Sequence, residues 1–474
     1  MKNHPTLLKP ASMHKIYLLY LLSLTATLKA QTLIKNVNLI DVEGKKIIRD
    51  QDIASVNGKI LYVGKGHMYK MPPGTEVIDG KGKFLIPGYT DAHVHFFQSG
   101  GLFTRPDAID LRKYKPYNDE IKWVHDHMKD FLTLYLKAGI TSVIDVGASF
   151  NFLQQRDTFL NKPNSPLIYM TGPLLTSYVP EEYEGLGSDA PFIKMTSEED
   201  TRQSVRDQLK YKPDFIKIWF IVLDSNIERG ARTNLKFVEA AIDEAHKNHL
   251  RVAVHATERI TAQLAVIAGA DYLVHNVDNE LITDAFVQLL KNKHTVLCPT
   301  LIVSHNYGKV FSGNYRFTDD EIKHSNPEQV ATIKNYPQPD TITGDRLINI
   351  INRGSYFKRQ KTTDSISAVN LKKLIDAGVT IASGTDAGNI GTQHAGSYFN
   401  ELKAMQGAGL SLWQIMVAST INGARSIGKE HDFGSIKQGK AANMVLLNSN
   451  PLEKLDNFKD IDVVINRGAV YTPE

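Results

Sequence analysis

Short apolar runs recur along the middle of the chain and alternate with amphipathic segments. Eight runs are strand-like in length and composition: residues 84–95, 140–147, 166–172, 214–220, 250–256, 271–277, 294–300 and 378–388. Helical spacing of apolar residues marks 234–249 and 366–378. This alternation predicts parallel strands with right-handed helical crossovers, and eight units fit an α/β fold with a closed (β/α)8 barrel of the TIM type. An open doubly wound sheet is the alternative, weakened by the lack of G-x-G-x-x-G after the first run.

Both ends of the chain have a different rhythm from the middle. Residues 31–86 and 432–474 carry short apolar stretches separated by Gly, Asn and Asp, which is typical of short antiparallel strands. We therefore expect a small β-sandwich domain formed by both chain ends, next to a barrel over residues 87–431. Within the barrel, residues 303–365 break the alternation with scattered polar residues. An insertion of this length at the loop face of a barrel predicts a lid over a substrate site.

The first 30 residues predict a secretory signal peptide. They contain four lysines and no acidic residue, and their apolar run is too short to span a bilayer comfortably. Ala30 supplies a small residue before a cut at Gln31. Met13 is an alternative initiator to Met1, and an uncleaved interfacial anchor is the alternative to cleavage. A cleaved leader predicts a periplasmic or secreted protein with no membrane span in the mature chain.

The basic excess of the chain comes from that leader. The formal net charge is +4, and removal of the four leader lysines leaves 51 basic residues against 51 acidic ones. A neutral mature chain does not support a large nucleic-acid surface, so a small molecule is the expected partner. The single cysteine, Cys298, excludes an intramolecular disulfide, and its apolar surroundings predict a buried side chain. The sequence is also compatible with a homo-oligomer.

Side chains of metal-ligand type stand near the carboxyl ends of five of the eight predicted strands. In a (β/α)8 barrel these ends meet at one mouth, where catalytic groups gather. His93 and His95 are two residues apart and point to the same face of a strand, so they can chelate one ion together. Imidazole and carboxylate groups suit zinc and similar ions, although a lone H-x-H pair is weak evidence of a site. The residues predicted to converge are His93, His95, Lys217, His255, His275 and Asp386.

Lys217 is the unusual member of this set. It lies between Ile216 and Ile218, which predicts a buried amine with a lowered pKa. A neutral amine reacts with carbon dioxide to give a carbamate, whose carboxylate can bridge two metals. An ammonium paired with a nearby acid is the alternative for Lys217. A satisfied core histidine is the alternative for His255 or His275 taken singly.

Together these stretches resemble the amidohydrolase superfamily, in its imidazolonepropionase-like and dipeptidase-like branch. The matching segments are PGYTDAHVH, DFIKIW, VAVHA, YLVHN and SGTDAG, followed by HAGSYFNELKAM, ASTINGARSIG and GSIKQGKAANMVLLNSNPL. The resemblance implies the barrel, the β-sandwich from both chain ends and two divalent metal ions, with Zn2+ as the expected identity. His93, His95 and Asp386 would hold one ion and His255 and His275 the other, while Lys217, carboxylated by carbon dioxide, would bridge them.

The resemblance also implies hydrolysis of a C–N amide bond in a dipeptide, an N-acyl amino acid or a cyclic amide. Asp386 would act as general base and then as general acid, passing a proton from the attacking water to the leaving amine. Arg259, His394 and Tyr178 are candidate substrate contacts. A solvated charge at a helix start is the alternative for Arg259, and a structural hydrogen bond for His394. Some dipeptide-cleaving relatives have an aromatic residue where this chain has Thr257, which counts against dipeptide recognition.

Two other classes of function stay open. A mononuclear deaminase of the same superfamily usually lacks the bridging lysine, so Lys217 argues against it. A non-catalytic binding protein on the same barrel would be expected to lose metal ligands, so the complete set argues against that class. The metal content of the purified protein separates the three hypotheses, which predict about two, one or no equivalents.

Overall fold

The computed structural model describes residues 31–66, 71–335, 351 and 353–473. The predicted signal peptide, with its alternative starts at Met1 and Met13, lies outside the described residues. Residues 336–350 and 352 of the predicted lid lie outside them as well. No helix within the described ranges combines the length and the apolar composition that crossing a membrane requires.

Extended backbone forms seventeen strands in the described residues, numbered here in chain order. They are β1 Gln31–Asp41, β2 Lys46–Val56, β3 Lys59–Gly64, β4 Glu76–Asp79, β5 Phe84–Pro87, β6 Tyr89–Val94, β7 Ile140–Asp145, β8 Leu167–Met170, β9 Leu174–Thr176, β10 Phe192–Lys194, β11 Ile216–Trp219, β12 Val252–His255, β13 Tyr272–Val274, β14 Val296–Cys298, β15 Met444–Leu447, β16 Ile461–Asn466 and β17 Ala469–Tyr471.

Thirteen α-helices accompany these strands in the described part of the chain. They are α1 Tyr117–Lys137, α2 Phe150–Arg156, α3 Glu198–Leu209, α4 Ile227–Lys247, α5 Arg259–Ala268, α6 Asp284–Lys293, α7 Val303–Phe311, α8 Asp319–Lys323, α9 Pro327–Lys334, α10 Ser355–Asp376, α11 Tyr398–Gly407, α12 Leu412–Ala418 and α13 Ile421–Ser426. Short 3-10 turns at Glu181–Tyr183, Gly187–Asp189 and Leu455–Lys459 complete the helical elements.

Both ends of the described chain join in one eight-stranded sheet. Its order is β17–β16–β15–β5–β1–β2–β3, with β4 paired to β1. The two ends meet where β15 pairs antiparallel with β5, with Met444 opposite Pro87. Ile60 of β3 and Ile465 of β16 share one buried apolar cluster, although their strands are far apart in the sheet order. The sheet therefore bends over a common core of its own.

The middle of the chain forms parallel strands with helices between them. β6, β7 and β8 make one sheet, and β10–β9–β11–β12–β13–β14 make the other. The register places Lys217 opposite Ala253, Ala253 opposite Tyr272, and Tyr272 opposite Val296. This alternation of parallel strands and helices is the α/β fold that the apolar rhythm predicted.

The predicted eighth strand, residues 378–388, is not a regular strand in the structure. Its backbone nevertheless bonds to both neighbouring strands. Ala382 N donates to Leu297 O of β14 at 2.8 Å, and Asp386 N donates to His93 O of β6 at 2.8 Å. The φ of Asp386 is 59°, in the left-handed region, which interrupts the extended backbone that the apolar pattern predicted.

The predicted first strand, residues 84–95, is divided at Gly88. β5 precedes this residue and belongs to the terminal sheet, whereas β6 follows it and begins the parallel strands. A Cβ atom at position 88 would lie 2.0 Å from Oγ1 of Thr141 in β7, so a side chain does not fit here. The chain passes from the terminal sheet to the parallel strands at this glycine.

Apolar cores lie on both sides of the parallel strands. The larger core packs helices against strands, with residues such as Phe131 of α1 and Val254 of β12. A smaller inner cluster contains Ala92, Tyr272 and Cys298, and Cys298 is fully buried, as its surroundings predicted. The Tyr272 hydroxyl donates to the Ala92 carbonyl at 2.7 Å and so joins β13 to β6, which are not neighbours in either sheet.

The predicted lid, residues 303–365, is mostly helical where the structure describes it. α7, α8 and α9 occupy its first part, and α10 begins at Ser355. α8 starts with a capping box in which Thr318 and Glu321 exchange hydrogen bonds, and Asn326 caps α9. The scattered polar residues that break the barrel rhythm are therefore partly helix caps.

Candidate metal centre

His93, His95 and Asp386 form the tightest group among the predicted ligands. The two histidines lie at the end of β6. Asp386 lies in the irregular segment 378–388, which is hydrogen-bonded to β14 through Ala382. His93 Nε2 lies 3.2 Å from His95 Nε2, and each lies 3.1 Å from Asp386 Oδ1. Three potential ligand atoms thus occupy the corners of a nearly regular triangle.

The dimensions of this triangle fit a metal ion. Ligand atoms about 2.0–2.1 Å from one tetrahedral zinc lie roughly 3.3 Å apart. Asp386 Oδ1 is buried and accepts no hydrogen bond from the described residues, in spite of its two close imidazole nitrogens. Buried carboxylate oxygens normally have a partner, so a cation is the natural occupant of the space between these atoms.

Backbone and side-chain contacts fix the orientation of two predicted histidine ligands. His95 Nδ1 donates to the carbonyl of Gly147 at 3.0 Å, which leaves the Nε2 lone pair facing Asp386. His275 Nδ1 lies 2.6 Å from Oγ1 of Thr300, after β14. Second contacts of this kind set the tautomer and orientation of a metal-binding imidazole.

The remaining predicted ligands, His255, His275 and Lys217, are less tightly grouped. The ring centroids of His255 and His275 lie 4.4 Å apart, and those of His93 and His275 lie 5.0 Å apart. His93, His275 and Asp386 offer ligand atoms that all lie within 4.8 Å of one another. Lys217 is 1% exposed and lines the same cavity as His255 and His275. The structure therefore brings all six predicted ligands to one place.

Burial determines the charge states of this group. It lowers the pKa of Lys217 to about 7, against a smaller opposing effect from Asp386. Burial also lowers the pKa of His93 to about 4, and holds those of His255 and His275 well below the usual range. Neutral imidazoles and a neutral amine are the forms that bind metals and react with carbon dioxide, respectively.

Asp386 behaves in the opposite way from the groups around it. Burial alone raises the pKa of its carboxyl, but the neighbouring His93 and His95 outweigh this effect and hold the pKa well below its usual range. An ionised carboxylate at this position supplies the negative charge that a divalent cation requires.

Three residues of the site have left-handed backbone conformations that are uncommon outside glycine. The φ angles are 74° for His275, 59° for Asp386 and 45° for Thr300. Such conformations are costly and persist where the surrounding structure holds them, frequently at functional sites. His275 and Asp386 are predicted ligands, and Thr300 is the hydrogen-bond partner of His275. Their shared conformation indicates that the local backbone orients these side chains towards the site.

Two buried acids support the ligands, and neither was named as a site residue from sequence. Asp91 accepts hydrogen bonds from the backbone N and the hydroxyl of Thr385, at 3.0 and 2.7 Å, and so fixes the residue before Asp386. Asp145 accepts from the backbone N of Phe96 at 2.9 Å and of Gly147 at 3.0 Å. Burial raises the pKa of both carboxyls to about 7. Asp91 stands inside the DAHVH motif, so its position was visible in the sequence although its role was not.

A cavity of about 480 Å³ opens beside the predicted ligands. His95, Lys217, His255, His275 and Asp386 line its floor. Another part of its lining, called here the roof, comes from the predicted lid and includes Val303, Ser304, Tyr307, Phe311, Ile351, Tyr356, Arg359, Gln360 and Thr363. A larger cavity of about 620 Å³ lies on another face of α7 and is lined by none of the six predicted ligands. The smaller cavity is therefore the candidate active site.

The structure does not bring the three predicted substrate contacts to this cavity. Arg259 begins α5 and pairs with Glu280 at 3.2 Å. His394 is buried, where Nδ1 contacts the Tyr135 hydroxyl at 3.0 Å and Nε2 donates to the Gln98 carbonyl at 2.8 Å. Tyr178 is 39% exposed and is not among the described residues that line the cavity. Arg259 therefore matches its alternative as a charge at a helix start. His394 matches its alternative as a structural hydrogen-bond partner.

The cavity also contains polar residues that sequence reasoning missed. Arg105 donates to Asp107 from Nε at 2.8 Å and from Nη2 at 2.6 Å, and from Nη1 to Asn389 Oδ1 at 2.5 Å. The Tyr307 hydroxyl donates to the same Asn389 oxygen at 2.7 Å. Asn389 Nδ2 in turn donates to the Asp386 carbonyl at 3.0 Å. No short motif marks these residues, because loops distant in sequence bring them together.

Comparison with known proteins shows the family. The model of the amidohydrolase family matches residues 84–470, so this chain belongs to the amidohydrolase family. This confirms the resemblance drawn from the strand-end motifs. Among curated relatives, the chain is 40% identical over 73 residues to adenine deaminase of Ruegeria sp. strain TM1040, and 42% identical over 72 residues to imidazolonepropionase of Stenotrophomonas maltophilia strain R551-3.

These curated matches are short. Each covers 15% of this chain, and the chain spans 12% of the deaminase and 17% of the imidazolonepropionase. Solved structures are similar over nearly the whole chain. A Xaa-Pro dipeptidase with bound methionine has a TM-score of 0.68 at 21% identity, covering 93% of this chain and 100% of the dipeptidase. Ochratoxinase of A. niger has a TM-score of 0.70 at 19% identity, covering 94% and 96%. Likeness at such identities shows the fold alone.

Proposed function

We propose that this chain is a binuclear metal-dependent hydrolase that cleaves a C–N amide bond in a small molecule. Dipeptides, N-acyl amino acids and cyclic amides are the proposed substrates. The observation that carries this proposal is the triangle of His93 Nε2, His95 Nε2 and Asp386 Oδ1, beside a cavity large enough for a small substrate. Family membership and the dipeptidase among the structural neighbours support the reaction class.

The proposed metal ligands divide into two groups with one bridge. His93, His95 and Asp386 would hold one divalent ion, and His255 and His275 the other. Lys217 would bridge them after its amine adds to carbon dioxide and loses a proton, which gives a carbamate. Its burial and its pKa of about 7 support this step, because the neutral amine is the reactive form. We propose zinc for both ions, which would activate water and polarise the substrate carbonyl.

The side chains of the cavity would carry the rest of the reaction. Asp386 would take a proton from the attacking water and pass it to the leaving amine, which departs as the neutral amine. Its pKa, which His93 and His95 hold well below the usual range, supports a carboxylate that is ionised before reaction. The roof residues, among them Tyr307 and Phe311, would exclude bulk water from the floor and hold the substrate.

We infer that the parallel strands close a (β/α)8 barrel over residues 87–431, with a β-sandwich formed by residues 31–86 and 432–474. Bonds from residues 378–388 to β14 and β6 support closure, as does the hydroxyl of Tyr272 that reaches β6. The bent terminal sheet supports the sandwich. A cleaved signal peptide and a periplasmic or secreted location complete the proposal. N-terminal sequencing of the exported protein tests the cleavage at Ala30.

A substrate panel tests the proposed reaction. The protein, supplied with zinc and bicarbonate, is incubated with dipeptides, N-acyl amino acids, lactams and adenine, and amine or ammonia release is measured. We expect amide cleavage by the wild type, and a loss of about 10³-fold or more in kcat for Asp386→Asn with metal content retained. Wild-type kcat in that variant would overturn the role of Asp386. Ammonia release from adenine without amide cleavage would replace the hydrolase by the deaminase alternative, which the short deaminase match supports.

A further inference from the structure

Trp219 differs from the other two tryptophans of the chain in its surroundings. Trp123 and Trp413 pack against the large apolar core, whereas Trp219 packs against none of the apolar clusters that the described residues form. It is partly exposed and lines the candidate active-site cavity instead. A packed aromatic side chain buries roughly 150–250 Å². An indole that no core covers therefore offers a large apolar surface to a ligand.

The strand register orients this indole towards the predicted metal ligands. Lys217 and Trp219 are two residues apart on β11, so their side chains point to the same face of the strand. Trp219 lies opposite His255 of β12, and the centroids of their two rings are 6.2 Å apart. The indole therefore stands at the edge of the floor, next to a predicted metal ligand.

Two more apolar side chains continue this surface along the floor. Phe192 of β10 stacks on Trp219, with ring centroids 4.9 Å apart and an interplanar angle of 28°. Phe192 also lies opposite Leu174 of β9, and both line the cavity. A Cβ atom on Gly147 would lie 2.5 Å from Leu174 Cδ1 and 3.0 Å from His95 Cε1, so these two side chains approach each other there. Leu174, Phe192 and Trp219 are called here the apolar wall.

The apolar wall is supported from behind. The buried ring of Tyr183 packs edge-on against Phe192, with centroids 5.1 Å apart, and its hydroxyl donates to Asp107 at 2.7 Å. The stacked rings of Phe192 and Trp219 are thus held before any ligand arrives. A preformed apolar surface costs a ligand little ordering of the protein.

We propose that the apolar wall is a subsite for an aromatic ring of the substrate, and that Trp219 determines this specificity. The subsite rests on the proposed hydrolase and defines the amides that it selects, those whose acyl or amine part carries an aromatic ring. Aromatic pairs in offset-stacked or edge-to-face arrangements gain more than the burial of their area alone. A methyl group in place of the ring would leave the wall in contact with water. The chain therefore prefers amides with an aromatic ring to small aliphatic amides.

Metal-chelating probes test this subsite without turnover. Acetohydroxamate and phenylacetohydroxamate share one chelating group and differ by a phenyl ring, and calorimetry measures their Kd values for the zinc-loaded protein. We expect the ring to strengthen binding to the wild type roughly 10- to 100-fold. Trp219→Leu retains an apolar side chain beside His255. In this variant we expect the gain from the ring to fall below about threefold, with zinc content and the Kd of acetohydroxamate unchanged.

Two further variants and a third probe sharpen the test. Trp219→Phe retains an aromatic ring and is expected to keep most of the gain. Trp413→Leu is the matched control, because Trp413 packs against the large core and lines a different cavity, and is expected to leave the gain unchanged. Cyclohexylacetohydroxamate has a ring of similar size without a flat face, and is expected to gain less than the phenyl probe.

Several outcomes would overturn the subsite and leave the hydrolase standing. Equal wild-type affinities for the acetyl and phenyl probes would mean that the wall receives no ring. Equal losses of both probes in Trp219→Leu would mean that the indole only supports His255, and a gain retained in that variant would place the ring elsewhere. An equal gain from the cyclohexyl ring would remove the aromatic specificity. If acetohydroxamate does not bind the zinc-loaded wild type, the proposed metal centre fails and the subsite fails with it.

Discussion

The floor and the roof of the cavity are built in different ways. The floor consists of side chains at the ends of parallel strands, held by backbone bonds such as His95 Nδ1 to Gly147 and by buried acids such as Asp145. The roof consists of short helices and loops of the insertion, among them α7 and α10. Strand ends are fixed by their sheet register, whereas helices of an insertion are fixed mainly by side-chain packing.

This difference suggests a division of roles, in which the floor determines the class of reaction and the roof, together with the apolar wall, determines the choice of substrate. Ligands on a rigid floor define what chemistry is available, and related proteins can share it. Residues of a roof contact the variable part of a substrate, and their identity can change without loss of the fold. The following predictions test that division, and changes to the floor are expected to have the larger effects.

Loss of Lys217 is expected to have the largest effect. Lys217→Met retains the buried apolar stem but removes the amine that is proposed to form the carbamate. Without the bridge, we expect loss of about one metal equivalent and a fall in kcat of about 10³-fold or more. Elemental analysis and single-substrate kinetics measure both quantities. Lys372→Met, on the exposed face of α10, is the matched control and is expected to leave both unchanged. Wild-type activity in Lys217→Met would separate this residue from the reaction.

The contact behind His275 is expected to have an intermediate effect. Thr300→Val removes the hydroxyl that lies 2.6 Å from His275 Nδ1 and retains the shape of the side chain. Loss of such a partner typically reduces metal affinity or activity about 10- to 100-fold, and competition with a chelator measures the affinity. Thr141→Val is the control, because the buried Thr141 hydroxyl has no hydrogen-bond partner among the described residues. Equal affinities in the two variants would show that Thr300 does not orient His275.

Glu401 joins the roof to the rest of the molecule and predicts a pH dependence of stability. Its buried carboxyl accepts from the backbone N of Leu301 at 2.9 Å and of Ile302 at 3.1 Å, just before α7. Burial raises its pKa to about 8, in spite of these two bonds. Because the folded state then binds more protons than the unfolded state between pH 4.5 and 8, this carboxyl contributes stability at low pH that is lost as pH rises.

Glu401→Gln tests that pH dependence. The variant cannot ionise, so its free energy of unfolding is expected to fall less steeply with pH than that of the wild type. The difference in slope is at most about 1.4 kcal/mol per pH unit. Urea unfolding at pH 5, 6, 7 and 8 measures both proteins. Parallel pH profiles would mean that Glu401 ionises normally in the folded chain.

The smallest effect is expected for Tyr307 in the roof. Tyr307→Phe removes the bond to Asn389 Oδ1 but leaves the other partner of that oxygen, Arg105, in place. A single neutral hydrogen bond is worth about 1 kcal/mol, so a change of roughly fivefold in KM with little change in kcat is expected. Steady-state kinetics on the amide substrate measures both. A loss of kcat comparable to that of Lys217→Met would contradict the division between floor and roof.

The sequence was informative about the floor because strand periodicity is local. His93 and His95 share a face through their spacing of two, and an apolar run before His255 or His275 marks a buried strand end. The eighth segment was located correctly but is not a regular strand, since the left-handed Asp386 depends on tertiary contacts. Backbone conformation at a single aspartate is not visible in an apolar pattern.

The sequence was less informative about the substrate side. Gln98 lines the cavity, but no sequence motif marks it, because its place there depends on the fold around it. Arg105 reaches the cavity through its pairing with Asp107 and Asn389, residues with no shared motif. The position of His394 after the Asp386 loop predicts a substrate contact, yet its side chain contacts the Gln98 carbonyl rather than the cavity. Spacing along the chain does not encode which residues of a loop line the cavity.

Metal stoichiometry tests the central claim most directly. The full chain, purified without chelators after growth with zinc, is analysed for metal per chain before and after dialysis. The converging ligands predict two equivalents that remain bound, with one retained after Lys217→Met. One metal equivalent in the wild type would favour the mononuclear alternative. A correctly folded wild-type protein that binds no metal would contradict the account of the floor.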